Sequence, residues 1–254
     1  MLVIPVIDIK NGESVRVLEG LADKTIYYCD TPLNMARLFR KENAKVIHIT
    51  DLDGAYSGNM INYNIIKEIV DKVGIPVQLG GGIRTTEIAE RLIEELGIFR
   101  IVLGTAVVEK LNLVEKLLEK YTPSKIVISI DVRGGFFVKT GWTTKTNIRG
   151  VDLALKMKSI GVERIIYQDV SRVGSLKGPD IEGTKEIAIK TGLKVTAAGG
   201  IGGYRDLKKI QELEKYGVDS VMMSRALYEN KFPCQAIWRE NEKSDTSLEL
   251  PKVK

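Results

Sequence analysis

The chain contains 254 residues, 44% of them hydrophobic and 28% charged, and its formal net charge is +5. One histidine and two distant cysteines, Cys29 and Cys234, exclude a zinc site built from His and Cys, so carboxylates, hydroxyls and lysines must supply most acid–base chemistry. The positive charge forms no clustered stripe, so we expect no nucleic-acid partner. No apolar stretch approaches the roughly 20 residues of a membrane span, and no signal peptide is recognisable. We therefore expect a cytoplasmic protein without a membrane partner.

Short apolar runs rich in β-branched residues alternate along the chain with amphipathic, charge-rich segments. Such runs are typical of strands that are buried on both faces of a parallel sheet. The eight predicted strands are Val3–Asp8, Val46–Asp51, Val77–Gly80, Arg100–Leu103, Ile126–Asp131, Arg164–Asp169, Lys194–Ala198 and Ser220–Met223. The predicted helices include Pro32–Asn43, Tyr63–Lys72, Thr86–Glu95, Leu111–Lys120, Asp152–Ile160 and Glu182–Lys190. Three of these helices follow a capping residue: Asp30 or Thr31, Thr85, and Asp180.

A repeat of about 120 residues relates the two halves of the chain. Four features recur in order at strand ends: Asp8 and Asp131, Asp51 and Asp169, Gly81-Gly82 and Gly199-Gly200, and Gly104-Thr105 and Ser224-Arg225. Two copies of a four-unit βα block close naturally into an eight-unit barrel. The sequence therefore predicts an α/β fold, a single (β/α)8 TIM barrel with an internal half-barrel repeat, over residues 1–240. A polar tail at 241–254 is expected to be frayed or disordered.

The glycine pairs of the repeat directly precede predicted helices, where bare backbone N–H groups can approach an anion. In such barrels the loops after strands seven and eight often form a phosphate site. Tight turns alone would explain an isolated glycine pair, but symmetric copies favour two phosphate sites across the mouth. The first would use Gly81, Gly82, Gly104 and Thr105, and the second Gly199, Gly200, Ser224 and Arg225.

Asp8 and Asp131 occupy equivalent places on opposite sides of the predicted barrel, between the two phosphate sites. A substrate that spans both sites would lay its middle across the two carboxylates. One would act as a base and the other, with its pKa raised by partial burial, as an acid. For either aspartate alone, a loop cap or a pair with Lys10 or Arg133 would be the simpler explanation.

Other polar or aromatic residues have plain structural explanations. Asp51 and Asp169 form a second symmetric pair, which ranks lower because Asp51 lies in a DLDG turn. His48 lies within a strand and is expected to be a packed, hydrogen-bonded histidine. Trp142 follows a hairpin-like extension at Phe136–Thr140 and would either stack on a planar ring of a ligand or fix its own loop.

Nine stretches form a specific pattern: IPVIDIKNGESVRVLEG, VIHITDLDGA, VQLGGGIRT, IVLGTAVVE, ISIDVRGG, GW, DVSRVGSLKGPD, AAGGI and SRALYE. The pattern closely resembles the ProFAR isomerase (HisA) family of histidine biosynthesis, whose members are phosphoribosylformimino-5-aminoimidazole carboxamide ribotide isomerases. The resemblance extends to about Trp238. The related cyclases share the fold and the repeat, but they usually read CLDV in the first strand and lack the DLDGA and GW signatures.

The resemblance implies an Amadori rearrangement of the aminoaldose ProFAR to the aminoketose PRFAR, on a substrate with a phosphate at each end. It implies that Asp8 moves the C2 proton, that Asp131 opens the furanose ring, and that a hydroxyl in the sixth loop, here Ser175, assists. It implies no metal or organic cofactor and no obligatory protein partner, and we expect a monomer. Gly20, at the end of the first matching stretch, joins Trp142 among the residues expected to contact the substrate.

The chain departs from the family pattern in two loops. The sixth loop usually reads DGT but here is Val173-Gly174-Ser175, which keeps a less restrained hydroxyl and loses a carboxylate. Ser224 stands where the family usually has glycine at the end of the eighth strand. A positive φ there would make serine weaken phosphate binding, whereas an ordinary φ would let its hydroxyl donate another hydrogen bond.

Two alternatives to a monofunctional isomerase therefore stay open. One is an isomerase that also accepts phosphoribosylanthranilate, which first-loop residues near Arg16 to Lys24 would decide. The other is a catalytically weakened phosphosugar-binding protein, motivated by Val173 and Ser224.

Overall fold

Twelve strands form within residues 1–28 and 31–232, the part of the chain that the computed structural model describes. They are β1 (Leu2–Lys10), β2 (Glu13–Leu18), β3 (Leu21–Tyr27), β4 (Ile47–Asp51), β5 (Val77–Gly80), β6 (Arg100–Leu103), β7 (Ile126–Arg133), β8 (Phe136–Lys139), β9 (Thr144–Arg149), β10 (Arg164–Asp169), β11 (Lys194–Ala198) and β12 (Val218–Met223). Eight of them pair in parallel in the order β1, β4, β5, β6, β7, β10, β11 and β12, and β12 pairs with β1. The closed ring confirms the predicted (β/α)8 barrel.

Helices follow the barrel strands. They are α1 (Pro32–Lys41), α2 (Leu52–Ser57), α3 (Tyr63–Val73), α4 (Thr86–Glu90), α5 (Ala106–Glu109), α6 (Leu111–Lys120), α7 (Gly150–Ser159), α8 (Ile181–Thr191), α9 (Tyr204–Gln211) and α10 (Arg225–Tyr228). The predicted helix at 86–95 divides into α4 and a π-helical turn, Arg91–Glu95. Short 3-10 turns lie at Pro123–Lys125, Val170–Arg172 and Glu214–Tyr216.

Three predicted helix caps are present. The side chain of Thr31 accepts a hydrogen bond from Asn34 N–H, and those of Thr85 and Asp180 accept equivalent bonds in their helices. Each cap satisfies a backbone donor that the first turn leaves without an intrahelical partner. The alternative cap, Asp30, lies outside the described residues.

The barrel strands are buried on both faces, which explains their continuous apolar runs. Outward residues such as Ile49 and Ile128 belong to one large core with the helices. Inward residues form a smaller cluster that fills the barrel: Val102, Val127, Ile166, Ala198 and Met222. These side chains fill the interior of the barrel below the loops at the carboxyl ends of the strands.

Two antiparallel extensions break the simple βα alternation, one on each side of the barrel. β2 and β3 extend β1, and β8 and β9 extend β7. Only the second was indicated by the sequence, as the extension at 136–140. Because β1 and β7 are equivalent strands of the repeat, the two extensions obey the same pseudo-twofold symmetry as the rest of the fold.

No α-helix in the described ranges is long and apolar enough to cross a membrane. The polar tail expected at 241–254 and the domain boundary expected at 240 lie outside the described residues.

Candidate active site

One large cavity opens at the carboxyl ends of the barrel strands and encloses about 1320 Å³, including its mouth. Asp8 and Asp131 both line it, from β1 and β7. In the ring of eight strands, β1 and β7 are four positions apart in either direction. The two carboxylates therefore stand on opposite walls, as the repeat predicts.

Asp8 is held in an ion pair that is almost closed to solvent. Its Oδ2 accepts a short hydrogen bond from Arg16 Nη1, and both side chains are buried. Arg16 comes from β2, which runs antiparallel to β1 with Val15 opposite Asp8. The first extension thus places the Arg16 guanidinium beside Asp8 on this wall of the cavity.

Asp131 has a different environment, made of neutral hydrogen-bond donors. Its Oδ1 accepts bonds from Ser129 Oγ at 3.0 Å and from Gln168 Nε2 at 3.2 Å. Burial raises the pKa of Asp131, against the opposing effect of hydrogen bonds from Trp142, Ser129 and Gln168. The two aspartates therefore have different surroundings, a guanidinium beside Asp8 and neutral donors around Asp131.

His48 is buried and lines the cavity near Asp8. Its ring contacts Gln78 Nε2 at 3.1 Å and Thr50 Oγ1 at 3.2 Å. Burial lowers the pKa of His48 to about 4, against the opposing effect of Asp8, so the imidazole is neutral at neutral pH. The expectation of a packed, hydrogen-bonded histidine is confirmed.

Most glycines of the predicted phosphate loops are required by close backbone packing. A Cβ on Gly81 would lie 2.1 Å from the carbonyl oxygen of Asp51, and a Cβ on Gly200 would lie 2.3 Å from that of Gly178. Gly82 and Gly199 also adopt positive φ and would meet neighbouring atoms. Gly104 differs, because an added Cβ would meet no atom within 4 Å. All five line the cavity.

Hydroxyl and guanidinium donors accompany these glycines. Thr105 Oγ1 accepts a hydrogen bond from Thr140 N–H at 2.8 Å, which leaves its own proton for another acceptor. The buried Oγ of Ser224 has no hydrogen-bond partner among the described residues. Ser224 has φ −127°, so its replacement of glycine causes no left-handed strain. Arg225 Nη1 donates to the carbonyl of Gly174 at 2.6 Å, which fixes the guanidinium at the wall.

The lining is rich in basic side chains. Four of them line it, from Arg16, Arg84, Lys139 and Arg225. Three pair with a carboxylate: Arg16 with Asp8, Lys139 with Glu109 and Arg225 with Glu229. Their remaining N–H groups can donate hydrogen bonds to an anionic ligand. Across residues 1–28 and 31–232, no cluster of three or more His, Cys, Asp or Glu side chains is placed to hold a metal ion.

Trp142 joins two apolar clusters above the cavity. It packs against Val15, Val17 and Leu52 on one side and against Val138, Val170 and Val173 on the other. It also lines the cavity and adopts φ +68°. The residue therefore fixes its own loop while presenting part of its side chain to the ligand space.

Two predicted site residues stand just behind the cavity wall. Gly20 is buried, and a Cβ there would lie 3.5 Å from Trp142 Cβ and 3.0 Å from Arg133 Nη2. Ser175 Oγ accepts a hydrogen bond from Lys177 N–H at 3.2 Å. Neither residue belongs to the cavity lining, whereas Gly174 and Leu176 do. Contact of Gly20 or Ser175 with substrate stays a prediction.

The second aspartate pair is structural. Asp51 is fully buried and accepts hydrogen bonds from the backbone of Gly54 and from Asn62. Asp169 accepts bonds from the backbone and hydroxyl of Ser171. Both residues cap the turn after their strand and lie outside the cavity lining.

Comparison with known proteins agrees with this architecture. A model of the histidine biosynthesis protein family matches residues 2–233. The chain belongs to this family. The resemblance that the motifs indicated is thereby confirmed.

Curated relatives match almost the whole chain. A protein of Chlorobium phaeobacteroides is 48% identical over 243 residues, which cover 96% of this chain and 93% of the relative. One of Prosthecochloris aestuarii has the same identity and coverage. One of Chloroherpeton thalassium is 48% identical over 257 residues, covering 100% of this chain and 98% of the relative. All three are named as isomerases of an imidazole-4-carboxamide with two phosphoribosyl groups.

Proposed function

We propose that this chain is an isomerase of histidine biosynthesis that converts ProFAR to PRFAR by an Amadori rearrangement. The family membership and the names of the relatives support the substrate and the reaction type. The observation that carries the mechanism is the pair of opposed carboxylates in one cavity. Asp8 is paired with a cation, while burial raises the pKa of Asp131 among neutral donors.

Asp131 acts as the acid in the first step. Because its raised pKa favours the protonated form, it can donate a proton to the ring oxygen of the aminoaldose. The bond between C1 and that oxygen breaks, and the nitrogen lone pair forms a C1–N double bond. The products of this step are an open-chain protonated imine and the Asp131 carboxylate.

Asp8 acts as the base in the second step. It removes the proton from C2, and the electron pair of that bond forms a C1–C2 double bond while the imine nitrogen becomes neutral. The resulting enol gains at C1 the proton that Asp8 holds and gives its hydroxyl proton to the Asp131 carboxylate, which yields the aminoketose and restores both side chains. Atoms and electrons balance within the substrate, so this sequence needs no redox partner.

The two ends of the substrate occupy opposite loop pairs in this proposal. One phosphate lies at Gly81, Gly82, Gly104 and Thr105, and the other at Gly199, Gly200, Ser224 and Arg225. The loops follow β5–β6 and β11–β12, which are opposite in the ring. The basic side chains of the lining, which can donate hydrogen bonds to phosphate oxygens, support a bisphosphorylated ligand.

We also propose that the chain works in the cytoplasm. We expect a monomer with no obligatory protein partner and no nucleic-acid or membrane partner. A bisphosphorylated substrate does not cross a lipid bilayer unaided, which supports a cytoplasmic location.

The test is steady-state turnover of ProFAR by the wild type and by matched aspartate variants. Asp8→Asn and Asp131→Asn should each lower kcat by about 10²- to 10⁴-fold, because each removes a proton-transfer group. Asp169→Asn is the control, since Asp169 ends the neighbouring strand β10 but lies outside the cavity lining. It should retain kcat within a few-fold.

Turnover that survives either active-site substitution would contradict the assigned roles. A wild type that binds ProFAR without converting it would contradict the enzyme assignment and favour a phosphosugar-binding protein. Phosphoribosylanthranilate in the same assay decides the bifunctional alternative.

A further inference from the structure

Three hydrogen-bonded side chains connect the barrel interior with the cavity wall, and the proposed mechanism uses none of them. Gln78 Nε2 contacts His48 Nδ1 at 3.1 Å, and His48 Nε2 contacts Thr50 Oγ1 at 3.2 Å. Gln78 and His48 are buried, whereas Thr50 is partly exposed and lines the cavity. The connected side chains thus end in a hydroxyl at the ligand space.

Thr50 stands beside the proposed base. In the parallel pairing of β1 and β4, Asp8 is the partner of Thr50. Partner residues of neighbouring strands present their side chains on the same face of the sheet. Both residues line the cavity, so the hydroxyl and the carboxylate lie side by side on one wall.

The direction of the hydrogen bonds follows from the state of the imidazole. His48 is neutral at neutral pH, so only one ring nitrogen carries a proton. Nδ1 faces the Gln78 amide donor, which places the ring proton on Nε2, where it is donated to Thr50 Oγ1. Thr50 Oγ1 has no further hydrogen bond to a side chain that the structure describes. Its own proton is therefore available to a ligand.

We infer that Thr50 is a further substrate-contacting residue, whose hydroxyl donates a hydrogen bond to an oxygen of the phosphoribosyl group that lies over Asp8. His48 and Gln78 are positioning residues that set the direction of this bond. The β-branched threonine side chain has few χ1 states, which keeps the oriented hydroxyl in place. The inference rests on the proposed function, because it requires the sugar to lie over Asp8.

Substitution of Thr50 separates the hydroxyl from the shape of the side chain. Thr50→Val keeps the volume and removes the hydroxyl, and it should lower kcat/KM about fivefold to tenfold, the size expected for one neutral hydrogen bond. Thr50→Ser keeps the hydroxyl and should stay within about twofold to threefold. Thr196→Val is the control, because Thr196 is a buried barrel threonine bonded to Ser220 away from the cavity. It should leave kcat/KM unchanged.

The positioning role is tested by spectroscopy and by a double-mutant cycle. His48 is the only histidine of the chain, so its ¹⁵N resonances in untagged protein are unambiguous. A neutral Nε2–H tautomer at neutral pH is expected. Gln78→Glu offers an acceptor to Nδ1, so the ring proton should move to Nδ1 and Nε2 should accept from the Thr50 hydroxyl. As a single substitution it should lower kcat/KM, whereas the double variant with Thr50→Val should be no worse than Thr50→Val alone.

The outcomes separate this inference from the proposed function. Wild-type turnover with an unaffected Thr50→Val variant overturns the inference and leaves the isomerase assignment intact. An Nδ1–H tautomer, or additive losses from Gln78→Glu and Thr50→Val, also overturns it. A wild type without turnover instead overturns the proposed function.

Discussion

Arg16 Nη1 donates to Asp8 Oδ2 in an ion pair whose two side chains are only 8% and 5% exposed. The pair joins two strands, since the cation comes from the hairpin strand β2 and the carboxylate from the barrel strand β1. When one partner of such a pair is lost, the other charge stays buried without compensation. The first hairpin is therefore coupled electrostatically to the residue that we propose as the base.

Arg16→Met should both destabilise the protein and impair turnover. The free energy of unfolding should fall by about 3–5 kcal/mol, the usual cost of breaking a buried pair. Denaturant unfolding measures this loss. Lys24→Met is the matched control, because Lys24 forms an exposed pair with Glu19 at 3.4 Å, and it should change stability by less than about 1 kcal/mol. Equal losses in the two variants would contradict the view that burial makes the Asp8 pair important.

A second prediction separates packing glycines from ligand-facing ones. Gly104→Ala should fold normally, because the new Cβ meets no atom within 4 Å, but it should raise KM for ProFAR by about tenfold or more if a phosphate occupies that space. Gly81→Ala places a Cβ 2.1 Å from Asp51 O at φ +97° and should instead lose stability. Steady-state kinetics and thermal unfolding of both variants provide the check. An unchanged KM in Gly104→Ala would contradict the proposal that a phosphate of the substrate binds at this loop.

The barrel could be predicted from the sequence because each of its strands is buried on both faces and recurs in the repeat. The hairpin of β2 and β3 was not predicted as strands. Its apolar residues Val15 and Val17 pack on Trp142, about 125 residues away in sequence, and such a contact leaves no local periodicity. The alternation that a hairpin shows on its own is too short to identify it.

The site could be predicted only in part, for a similar reason. The aspartates and glycines repeat at strand ends, where sequence position alone indicates the cavity. Arg16 and Gln168 do not repeat, and they act through strand register: Arg16 reaches Asp8 from the neighbouring strand β2, and Gln168 is the partner of Asp131 in the pairing of β10 with β7. Only the pairing of strands shows which residues surround a given carboxylate.

Asp131→Asn should stabilise the protein as it inactivates it, and the gain should depend on pH. Burial raises the pKa of Asp131 above its value in the unfolded chain, so the folded state binds the proton more tightly. The contribution of Asp131 to wild-type stability is therefore lost as pH rises from about 4 through the folded pKa. Asparagine does not titrate, so the variant shows no such loss. At neutral pH the free energy of unfolding of the variant should be about 1 kcal/mol higher than that of the wild type, the usual size for one stabilising substitution.

Thermal unfolding of the wild type and Asp131→Asn at a series of pH values checks this prediction. The difference in Tm should grow as pH rises and then stay constant. A difference that is independent of pH would mean that Asp131 is ionised as readily in the folded as in the unfolded state. That result would weaken its assignment as the acid.

Val173→Asp restores the carboxylate that the family usually has in the sixth loop, and it should not improve the enzyme. Val173 is fully buried and does not line the cavity. It packs against Val138, Val170 and the partly buried Trp142. A carboxylate in this apolar cluster should cost about 3 kcal/mol or more in unfolding free energy and should displace the Trp142 loop. Val173→Ala is the control for lost packing alone. A Val173→Asp variant with higher kcat and unchanged stability would show instead that the native valine limits catalysis, as the weakened-homologue hypothesis requires.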